Sequence, residues 1–344
     1  INKNKKSTSM KHPDWSKNLS IYEVNIRQHT HSGTFRELEE HLPGIQELGV
    51  GIIWLMPIHP IGEDKRKGSL GSYYSVKDYY GINPEFGTLA DFTSLVNRIH
   101  ELGMYVIIDW IANHTSWDNK MIEEHPEWYT RDVTGKLLSP VEDWTDVADL
   151  NYNHNPLQEY MIDAMKYWVA NTDIDGFRCD VAGMVPKSFW ERTRAELDKI
   201  KPVFMLAEAE TPELHENAFD MTYAWDAYKS LLAIARGEKG KSVQSFESVM
   251  DRDTSNYMIH AYRMHFTSNH DENSWNDAAV KLFGDALDAV TVINYTIPGM
   301  PLIYNGQEIG SPRKLEFFEK DMIRWKKSPY RDLYKTLNKL KKDN

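Results

Sequence analysis

The sequence predicts an α/β fold in which short parallel strands alternate with helices. Two observations support this prediction: eight short runs with strand character recur along the 344 residues, and amphipathic helical patterns lie between them. Runs 52–56 and 105–108 are almost wholly apolar, as expected of strands buried on both faces of a parallel sheet. The predicted strands are Ser20–Asn25, Gly51–Met56, Met104–Asp109, Ile174–Cys179, Val203–Glu208, Phe219–Tyr223, His260–Phe266 and Pro301–Tyr304.

The first two connections carry helix signals. Thr34 and Glu37 form a possible capping box before an amphipathic stretch, although Pro43 is an awkward residue inside that helix. Thr88 is a suitable cap for the next helix, and Gly103 ends it. Right-handed crossovers between such strands give either an open sheet or a closed barrel. No glycine-rich dinucleotide fingerprint follows the first strand, which argues against a Rossmann fold.

One interval breaks the alternation of strands and helices. Residues 111–155 are aromatic, polar and rich in turn formers, without a clear helical pattern. The interval is too long for an ordinary connection, so we expect a small inserted domain there, after the third strand. A helix resumes beyond it, with Asn155 as the expected cap and Pro156 at the first helical position.

The composition of the chain excludes several classes of function. The formal net charge is -11, which argues against a nucleic-acid partner because phosphate binding requires clustered Lys and Arg. The one cysteine, Cys179, excludes an intrachain disulfide, and no apolar run approaches the roughly 20 residues of a membrane span. The eleven Trp and eighteen Tyr either pack in the core or offer flat faces for sugar rings.

The start of the chain is polar. We expect residues 1–14 to form a disordered tail, since the opening Ile1-Asn2-Lys3-Asn4 and its continuation are predominantly polar. A chain that begins without Met suits a mature form whose export signal was removed. We therefore favour a periplasmic or cell-surface location over the cytoplasm.

Polar side chains follow four different strands at the point where each strand ends. A single Asp at such a place is more often a helix cap, and a single His is usually structural. Several together indicate an active site, because the carboxyl ends of the strands of a barrel converge on one face. The residues concerned are Asp109, Asn113, His114, Arg178, Asp180, Glu208, His270 and Asp271.

These segments resemble the short conserved stretches of the α-amylase family of glycoside hydrolases. Segment 109–114 is similar to the Asp-x-x-x-Asn-His stretch, 176–182 to the stretch that carries the nucleophile, and 268–271 to the Asn-His-Asp stretch, while Glu208 stands at the acid/base position. The likeness extends from about Ile21 to Leu340, in family order.

The resemblance implies a (β/α)₈ TIM barrel formed by residues 15–110 and 156–344, with the inserted domain at 111–155. Members of the family usually continue into a β-sandwich domain after the eighth helix. This chain stops at Asn344. We expect that C-terminal domain to be absent from this chain.

The resemblance also assigns catalytic roles. Asp180 is expected to be the nucleophile, Glu208 the general acid and then base, and Asp271 the stabiliser of the oxocarbenium-like transition state. Retention at the anomeric carbon requires Asp180 and Glu208 to face each other at roughly 5 Å. Arg178 lies two residues before Asp180 on the same strand and should lower the pKa of that carboxyl group. The pKa of Glu208 should be raised by burial or by neighbouring negative charge.

Other residues are expected to hold the sugar. His114, Arg178 and His270 would bind the same ring, and Tyr74 would stack on its face. Ordinary core packing is the alternative for Tyr74. Asp109 is expected beside the site as the partner of Arg178.

Calcium is the ion that the resemblance implies, with Asn113 and Asp149 at two ligand positions. Oxygen donors of this kind suit a hard cation between barrel and insertion. A third ligand would be a backbone carbonyl near Gly183-Met184, where typical α-amylases have Lys-His. No organic cofactor is expected, and no histidine cluster offers a zinc site.

The function that follows is retaining endo-hydrolysis of α-1,4 bonds in an α-glucan such as starch or a maltodextrin. An α-glucanotransferase or a neopullulanase-like, α-1,6-acting enzyme is the alternative, since Val181-Ala182 fits those subgroups equally well. A non-catalytic glucan-binding protein is disfavoured because all three carboxylates are present.

Overall fold

The computed structural model describes residues 10–344. The first nine residues of the predicted polar tail lie outside the described residues. The strands in the described part are β1 (Ile21–Val24), β2 (Ile52–Leu55), β3 (Tyr105–Trp110), β4 (His114–Ser116), β5 (Val147–Asp149), β6 (Gly176–Cys179), β7 (Phe204–Ala207), β8 (Met221–Tyr223), β9 (Tyr262–His265) and β10 (Met300–Tyr304).

The helices surround these strands. They are α1 (Ile26–His29), α2 (Phe35–Leu48), α3 (Leu89–Glu101), α4 (Met121–Glu124), α5 (Asn155–Thr172), α6 (Lys187–Asp198), α7 (Trp225–Ala235), α8 (Val243–Asn256), α9 (Ala279–Phe283), α10 (Leu287–Thr296) and α11 (Pro329–Asp343). Among the described residues, no helix is long and apolar enough to cross a membrane.

Eight of the strands close into a barrel. The order is β1-β2-β3-β6-β7-β8-β9-β10, every neighbouring pair is parallel, and β10 pairs again with β1. The closed form of the two predicted topologies is therefore confirmed, and each of the eight predicted strands contributes one barrel strand. All the carboxyl ends of these strands open on one face, where a barrel of this kind carries its site.

The barrel interior is apolar toward the amino ends of the strands and polar toward their carboxyl ends. Alternate residues of each strand point inward, and the lower positions are filled by side chains such as Ile52, Ile107 and Met221, which are fully buried. One layer higher, toward the carboxyl ends, the inward residues become polar. The register places Asp109 directly beside Arg178 across the β3–β6 pair. The polar layer forms the floor of the open face.

The helix starts differ in detail from the expectations. Thr34 accepts a hydrogen bond from the Glu37 amide, but the Glu37 carboxylate accepts from Ser32 instead of Thr34, so the expected capping box is only half formed. Thr88 forms a complete box with Asp91.

Two further expectations concern α2 and α5. Pro43 lies within α2 without ending it. The expected cap of α5, Asn155, is wrong by one residue, because Asn155 is already helical and His154 has the extended cap conformation.

The chain between β3 and α5 folds over the open face of the barrel. Here β4 and β5 form an antiparallel pair in which His114 stands opposite Asp149. Asn113 is tied to the same ribbon, since its carbonyl accepts from the Leu150 amide at 3.1 Å. The ribbon thus delivers His114 to the barrel mouth from outside the barrel.

Residues 12–16 cover the opposite end of the barrel, so the expected disorder up to residue 14 is wrong for this part. His12 hydrogen-bonds the Asp220 carboxylate, just before β8, at 2.5 Å and the His260 carbonyl, just before β9, at 2.6 Å. Trp15 stacks on Tyr105, the first residue of β3, at 3.8 Å. Aromatic contacts and hydrogen bonds hold this segment, and a polar composition alone did not reveal them.

Candidate active site

The predicted polar residues converge at the carboxyl ends of the strands. Asp109 and Arg178 are the last but one residues of β3 and β6, and Asp180 and Glu208 directly follow β6 and β7. Asp271 follows β9 in helical conformation, directly before the π-helical turn Glu272–Asn276. His114 arrives from the ribbon. They line or underlie one open cleft at this end of the barrel.

Arg178 is the centre of this arrangement and is fully buried. Its Nη1 donates to Asp109 Oδ1 and to Asp180 Oδ1, each at 2.9 Å. Its Nη2 lies 2.9 Å from Glu208 Oε2, and Nε donates to the Tyr223 hydroxyl at 3.1 Å. One guanidinium therefore fixes three carboxyl groups from three strands, which its planar fork of donors is suited to do.

Asp180 and Glu208 lie side by side through this shared guanidinium. Both carboxyl groups face the same guanidinium, Asp180 through Oδ1 and Glu208 through Oε2, each at 2.9 Å. Burial raises the pKa of Glu208 to about 8, and the negative charges of Asp180 and Asp271 add to the effect while Arg178 opposes it. At neutral pH Glu208 is thus the group that holds the proton.

The expected pKa of Asp180 is wrong in direction. Arg178 favours the ionised form, as we expected, but burial is the larger effect and the nearby Asp109 reinforces it. The net pKa of Asp180 is therefore raised from its ordinary value. An ion pair lowers a carboxyl pKa only when it outweighs the loss of water, and here it does not.

The residue after Asp180 has an unusual backbone. Val181 has φ 37° and ψ 46°, a left-handed conformation that costs a β-branched residue free energy. In this conformation its N–H donates to Glu208 Oε2 at 2.8 Å. The strained turn thus links the strand end that carries Asp180 to the carboxyl group of Glu208.

Asp271 has different surroundings, since its side chain is 46% exposed at the edge of the cleft. Desolvation is the largest single influence and acts to raise its pKa. The charge and hydrogen bond of His270, with Nε2 at 3.3 Å, together with Arg178 and Trp275, outweigh it and lower the pKa of Asp271. His270 is buried, yet Asp271 and Glu23 raise its pKa well above the ordinary value. His270 is therefore a cation that keeps Asp271 ionised.

Tyr74 connects the two halves of the site. Its hydroxyl donates to Asp109 Oδ2 at 2.9 Å and lies 2.9 Å from His270 Nε2, and its ring stacks on the His270 ring. This position lines the cleft, so Tyr74 is more than a core residue. His114 faces Asp180, with Nε2 3.9 Å from Oδ2, and burial lowers its pKa to about 4, so it is neutral near pH 7.

Aromatic rings form the walls of the cleft. Trp144 from the inserted segment lies 5.6 Å from His114, measured between ring centroids. On the other side a π-helical turn, Glu272–Asn276, presents Trp275, which is 55% exposed and packs against Phe317 and Phe318. Exposed rings at a cleft mouth are suited to hold the apolar faces of sugars.

The two predicted metal ligands are neighbours on the ribbon. Asn113 precedes β4 and Asp149 ends β5, and burial raises the pKa of Asp149. Within residues 10–344, no group of three or more His, Cys, Asp or Glu side chains is clustered to hold a metal. An ion at this place would need amide and backbone oxygens besides the single carboxylate.

Some residues of the site were missed by the sequence analysis. Glu23 is fully buried and accepts from the His270 backbone and from His270 Nδ1, each at 3.0 Å. A carboxylate within the otherwise apolar run 21–24 was the sequence signal for it. Tyr223, at the end of β8, was detectable by the same strand-end logic. Trp144 and Trp275 lie in irregular segments, where no periodicity distinguishes them from other exposed rings.

The chain is similar in sequence and in structure to known proteins. The family model described as "Alpha amylase, catalytic domain" matches residues 22–145 and 128–344. Among curated proteins, α-amylase MalA of Haloarcula japonica is 27% identical over 314 residues, which cover 87% of this chain and 45% of that protein. The chain spans about half the length of the first curated relatives that it matches.

Solved structures give a stronger likeness. An α-amylase from Lactobacillus plantarum is 37% identical with a TM-score of 0.88, covering 94% of this chain and 80% of that one. The maltogenic α-amylase AmyB from Thermotoga neapolitana is 36% identical with a TM-score of 0.89, covering 96% and 77%.

Proposed function

This chain belongs to the α-amylase family, and from that premise we propose that it is a retaining hydrolase of α-1,4-glucosidic bonds inside starch or maltodextrin chains. One observation carries the proposal. The buried Asp180 and the largely buried Glu208 share one guanidinium, and the pKa of Glu208 is raised to about 8. Retention needs one carboxylate that attacks carbon and one acid that holds a proton, and this pair offers both.

In the first displacement, a carboxylate oxygen of Asp180 attacks the anomeric carbon. The bond from that carbon to the glycosidic oxygen breaks, and the proton of Glu208 passes to this oxygen, so the sugar leaves as an alcohol. The product is a glycosyl ester on Asp180. Arg178 then loses the charge of one partner but keeps Asp109 and the newly ionised Glu208.

In the second displacement, Glu208 takes a proton from a water molecule whose oxygen attacks the anomeric carbon. The ester bond breaks, Asp180 leaves as a carboxylate and Glu208 is again protonated. Asp271 and His270 would bind the hydroxyls of the reacting ring, with the negative charge of Asp271 stabilising its positive transition state. His114 would bind the same ring, and Tyr74 would stack on it.

A transfer reaction is the second candidate. The exposed ring of Trp275 beside the cleft can hold a sugar acceptor, whose hydroxyl would then replace water in the second displacement. The same ester on Asp180 serves hydrolysis and transfer, so the residues that bind the acceptor decide between them. An α-1,6-acting, neopullulanase-like enzyme would use the same residues on a branched substrate.

The test is incubation with maltoheptaose, following products by chromatography and their anomeric form by NMR. We expect shorter maltooligosaccharides released as the α-anomer, and a loss on the order of 10⁴-fold or more in kcat for Asp180→Asn. Asp277→Asn, a matched change outside the cleft, should retain activity. Products longer than the substrate would indicate transfer, and cleavage of panose would indicate α-1,6 action.

Two outcomes contradict the proposal. A β-anomeric first product would exclude double displacement. Equal inactivity of the unmodified protein and Asp180→Asn would favour a glucan-binding protein without catalysis.

A calcium ion held by Asn113 and Asp149 is a further part of the proposal. In support, Asn113 directly precedes His114, which pairs with Asp149 across the β4–β5 ribbon, and Asp149 has no ion pair among the described residues. A hard cation would offset the partly buried charge of Asp149. Its contribution would be structural, since it would tie the inserted ribbon to the end of β3.

A further inference from the structure

A second cavity lies on the flank of the barrel, away from the cleft. This flank pocket opens between α2 and α11 and shares no lining residue with the cleft. The side chains that matter for its chemistry are Tyr22, His29, His41, Glu308, Trp325 and Arg331.

Glu308 supplies an unsatisfied polar group to this pocket. It is 1% exposed, and its Oε1 accepts from the Gly306 amide at 2.7 Å and from the Tyr22 hydroxyl at 3.1 Å. Its Oε2 is buried and has no hydrogen-bond partner among residues 10–344. A buried oxygen without a partner costs free energy, and a ligand that hydrogen-bonds to it would recover that cost.

Aromatic rings form the other side of the pocket. Trp325 is 37% exposed, while its Nε1 donates to the His29 carbonyl at 2.7 Å, so the ring is anchored at its edge with part of its surface in solvent. The rings of His29 and His41 lie 4.8 Å and 6.4 Å from it, measured between centroids. The two histidine rings are inclined to the indole by 57° and 73°, so the wall is aromatic and the partly exposed Trp325 ring is its flat surface.

His29 adds an acceptor. Burial lowers its pKa to about 3, so the ring is neutral. Its Nδ1 lies 3.1 Å from Asn305 Oδ1, which requires the proton on Nδ1 and leaves the lone pair on Nε2. Burial also raises the pKa of Glu308 to about 7, so that below neutral pH this group donates a proton. The pocket thus offers both a donor and an acceptor beside an aromatic wall.

Charge decides which class of ligand fits. Glu40 and Arg331 stand on the lining with opposite signs, so neither an anion nor a cation is favoured by the surroundings. A neutral ligand with an apolar face and several hydroxyls satisfies the ring, the acceptor and the free carboxyl oxygen together. We propose that the flank pocket is a second, non-catalytic binding site for a neutral pyranose, such as the end unit of a glucan chain.

This inference shares its ligand class with the proposed function but none of its residues. A glucan bound on the flank would keep the enzyme attached to a polymer while the cleft releases and rebinds chain segments. The benefit would be confined to large substrates, because linking two binding sites raises the effective concentration of the chain at the cleft.

The experiment measures maltose binding to the full chain carrying Asp180→Asn, by calorimetry and by the structure of a maltose-soaked crystal. We expect two binding sites, with a ring on Trp325 in the second. Adding Trp325→Ala should weaken the flank site about tenfold or more, whereas Trp325→Phe should keep most of the affinity. His41→Ala, at the edge of the pocket, removes a smaller ring from the same aromatic wall and should weaken the flank site less than Trp325→Ala does.

The reciprocal control is Trp275→Ala, which should weaken the cleft site and leave the flank site unchanged. Maltose bound only in the cleft, or a flank site with unaltered affinity in both Trp325→Ala and His41→Ala, would overturn the inference. In an otherwise unmodified enzyme, Trp325→Ala should cleave maltotriose at the normal rate and lose adsorption to granular starch. Loss of maltooligosaccharide cleavage in the unmodified enzyme would instead concern the proposed function.

Discussion

Asp180, Glu208 and Asp271 share one cleft but hold protons with different affinities. Asp271 is half exposed and adjoins the cationic His270, so its pKa is lowered. Asp180 and Glu208 are both buried against Arg178, and burial raises the pKa of each. In the proposed reaction, the different surroundings of these carboxyl groups, rather than their residue types, would assign the roles of nucleophile, acid and stabiliser.

The pH dependence of activity follows from the pKa of Glu208. The first displacement needs Glu208 protonated, and this form predominates below its pKa of about 8 and is lost above it. We expect kcat/KM to fall as pH rises through about 8, and to fall on the acid side as Asp180 becomes protonated. The measurement is a profile of kcat/KM from pH 4 to 10 on a maltooligosaccharide.

A charge change provides the control for this profile. Asp271→Asn removes a negative charge that raises the pKa of Glu208, so the basic limb of the residual activity should move to lower pH. An unmodified enzyme whose activity already falls at the ordinary Glu pKa would show that Glu208 is not the buried acid.

Sequence reasoning located the charged residues but not the balance between their interactions. Asp109, Arg178 and Glu208 were detectable because each ends a barrel strand. The pKa direction of Asp180 was wrong because an ion pair is visible in a sequence motif, whereas the loss of water is visible only in three dimensions. Trp275 was missed because the direction of its side chain depends on a π-helical turn. Asn273 in this turn accepts a hydrogen bond from the amide of Leu315, which is distant in sequence.

At the scale of elements, α3 shows how a local signal acts. The Thr88 side chain accepts from the Asp91 amide, and the Asp91 carboxylate accepts from the Thr88 amide, satisfying two donors that the helix leaves free. The buried face of α3 then packs on the barrel through Phe92, Leu95 and Ile99. Helix formation and barrel packing thus depend on the same short segment.

We expect Thr88→Ala to lower the free energy of unfolding by about 1 kcal/mol, because the cap is lost while the exposed side chain contributes no packing. Urea denaturation measures this change. Thr93→Ala in the same helix is the matched control, since Thr93 only bonds back to the Leu89 carbonyl and Ala has the higher helix propensity. Equal destabilisation by both substitutions would contradict the role of the cap.

Strand and helix positions were predictable because each element carries its own periodic or apolar pattern. Their ends were less so: Asn155 is a good cap residue by type, yet His154 occupies that place. The Gly176 backbone could not be anticipated at all. Its φ is 148°, and a Cβ there would lie 1.9 Å from the Phe204 carbonyl oxygen, so the close approach of β6 and β7 requires glycine.

At the scale of the whole molecule, barrel closure depends on a contact between the two ends of the fold. β1 pairs with β10, as in Ile21 with Leu302. Local patterns cannot distinguish this pairing from an open sheet, and only the family resemblance favoured the barrel. The order of residues 12–14 escaped prediction for the same reason, because His12 hydrogen-bonds Asp220, which is far away in sequence.

The proposed calcium ion gives a prediction at this scale, since it would join the insertion to the barrel. Calcium in excess over a chelator should raise Tm by about 2 to 4 °C or more. Asp149→Asn should abolish the difference, and Asp146→Asn on the same ribbon should preserve it. Identical melting with calcium and with chelator would remove the ion from the proposal.

The position of residues 12–16 suggests where the protein can be attached to a solid support. It covers the end of the barrel opposite the cleft, and the chain's one thiol, Cys179, is buried. Lys11 is exposed there, so Lys11→Cys would provide the one thiol accessible to a maleimide. In a protein immobilised on a resin through that thiol, the cleft would face the solution. The resin would then not obstruct the approach of a glucan polymer, the substrate that we propose.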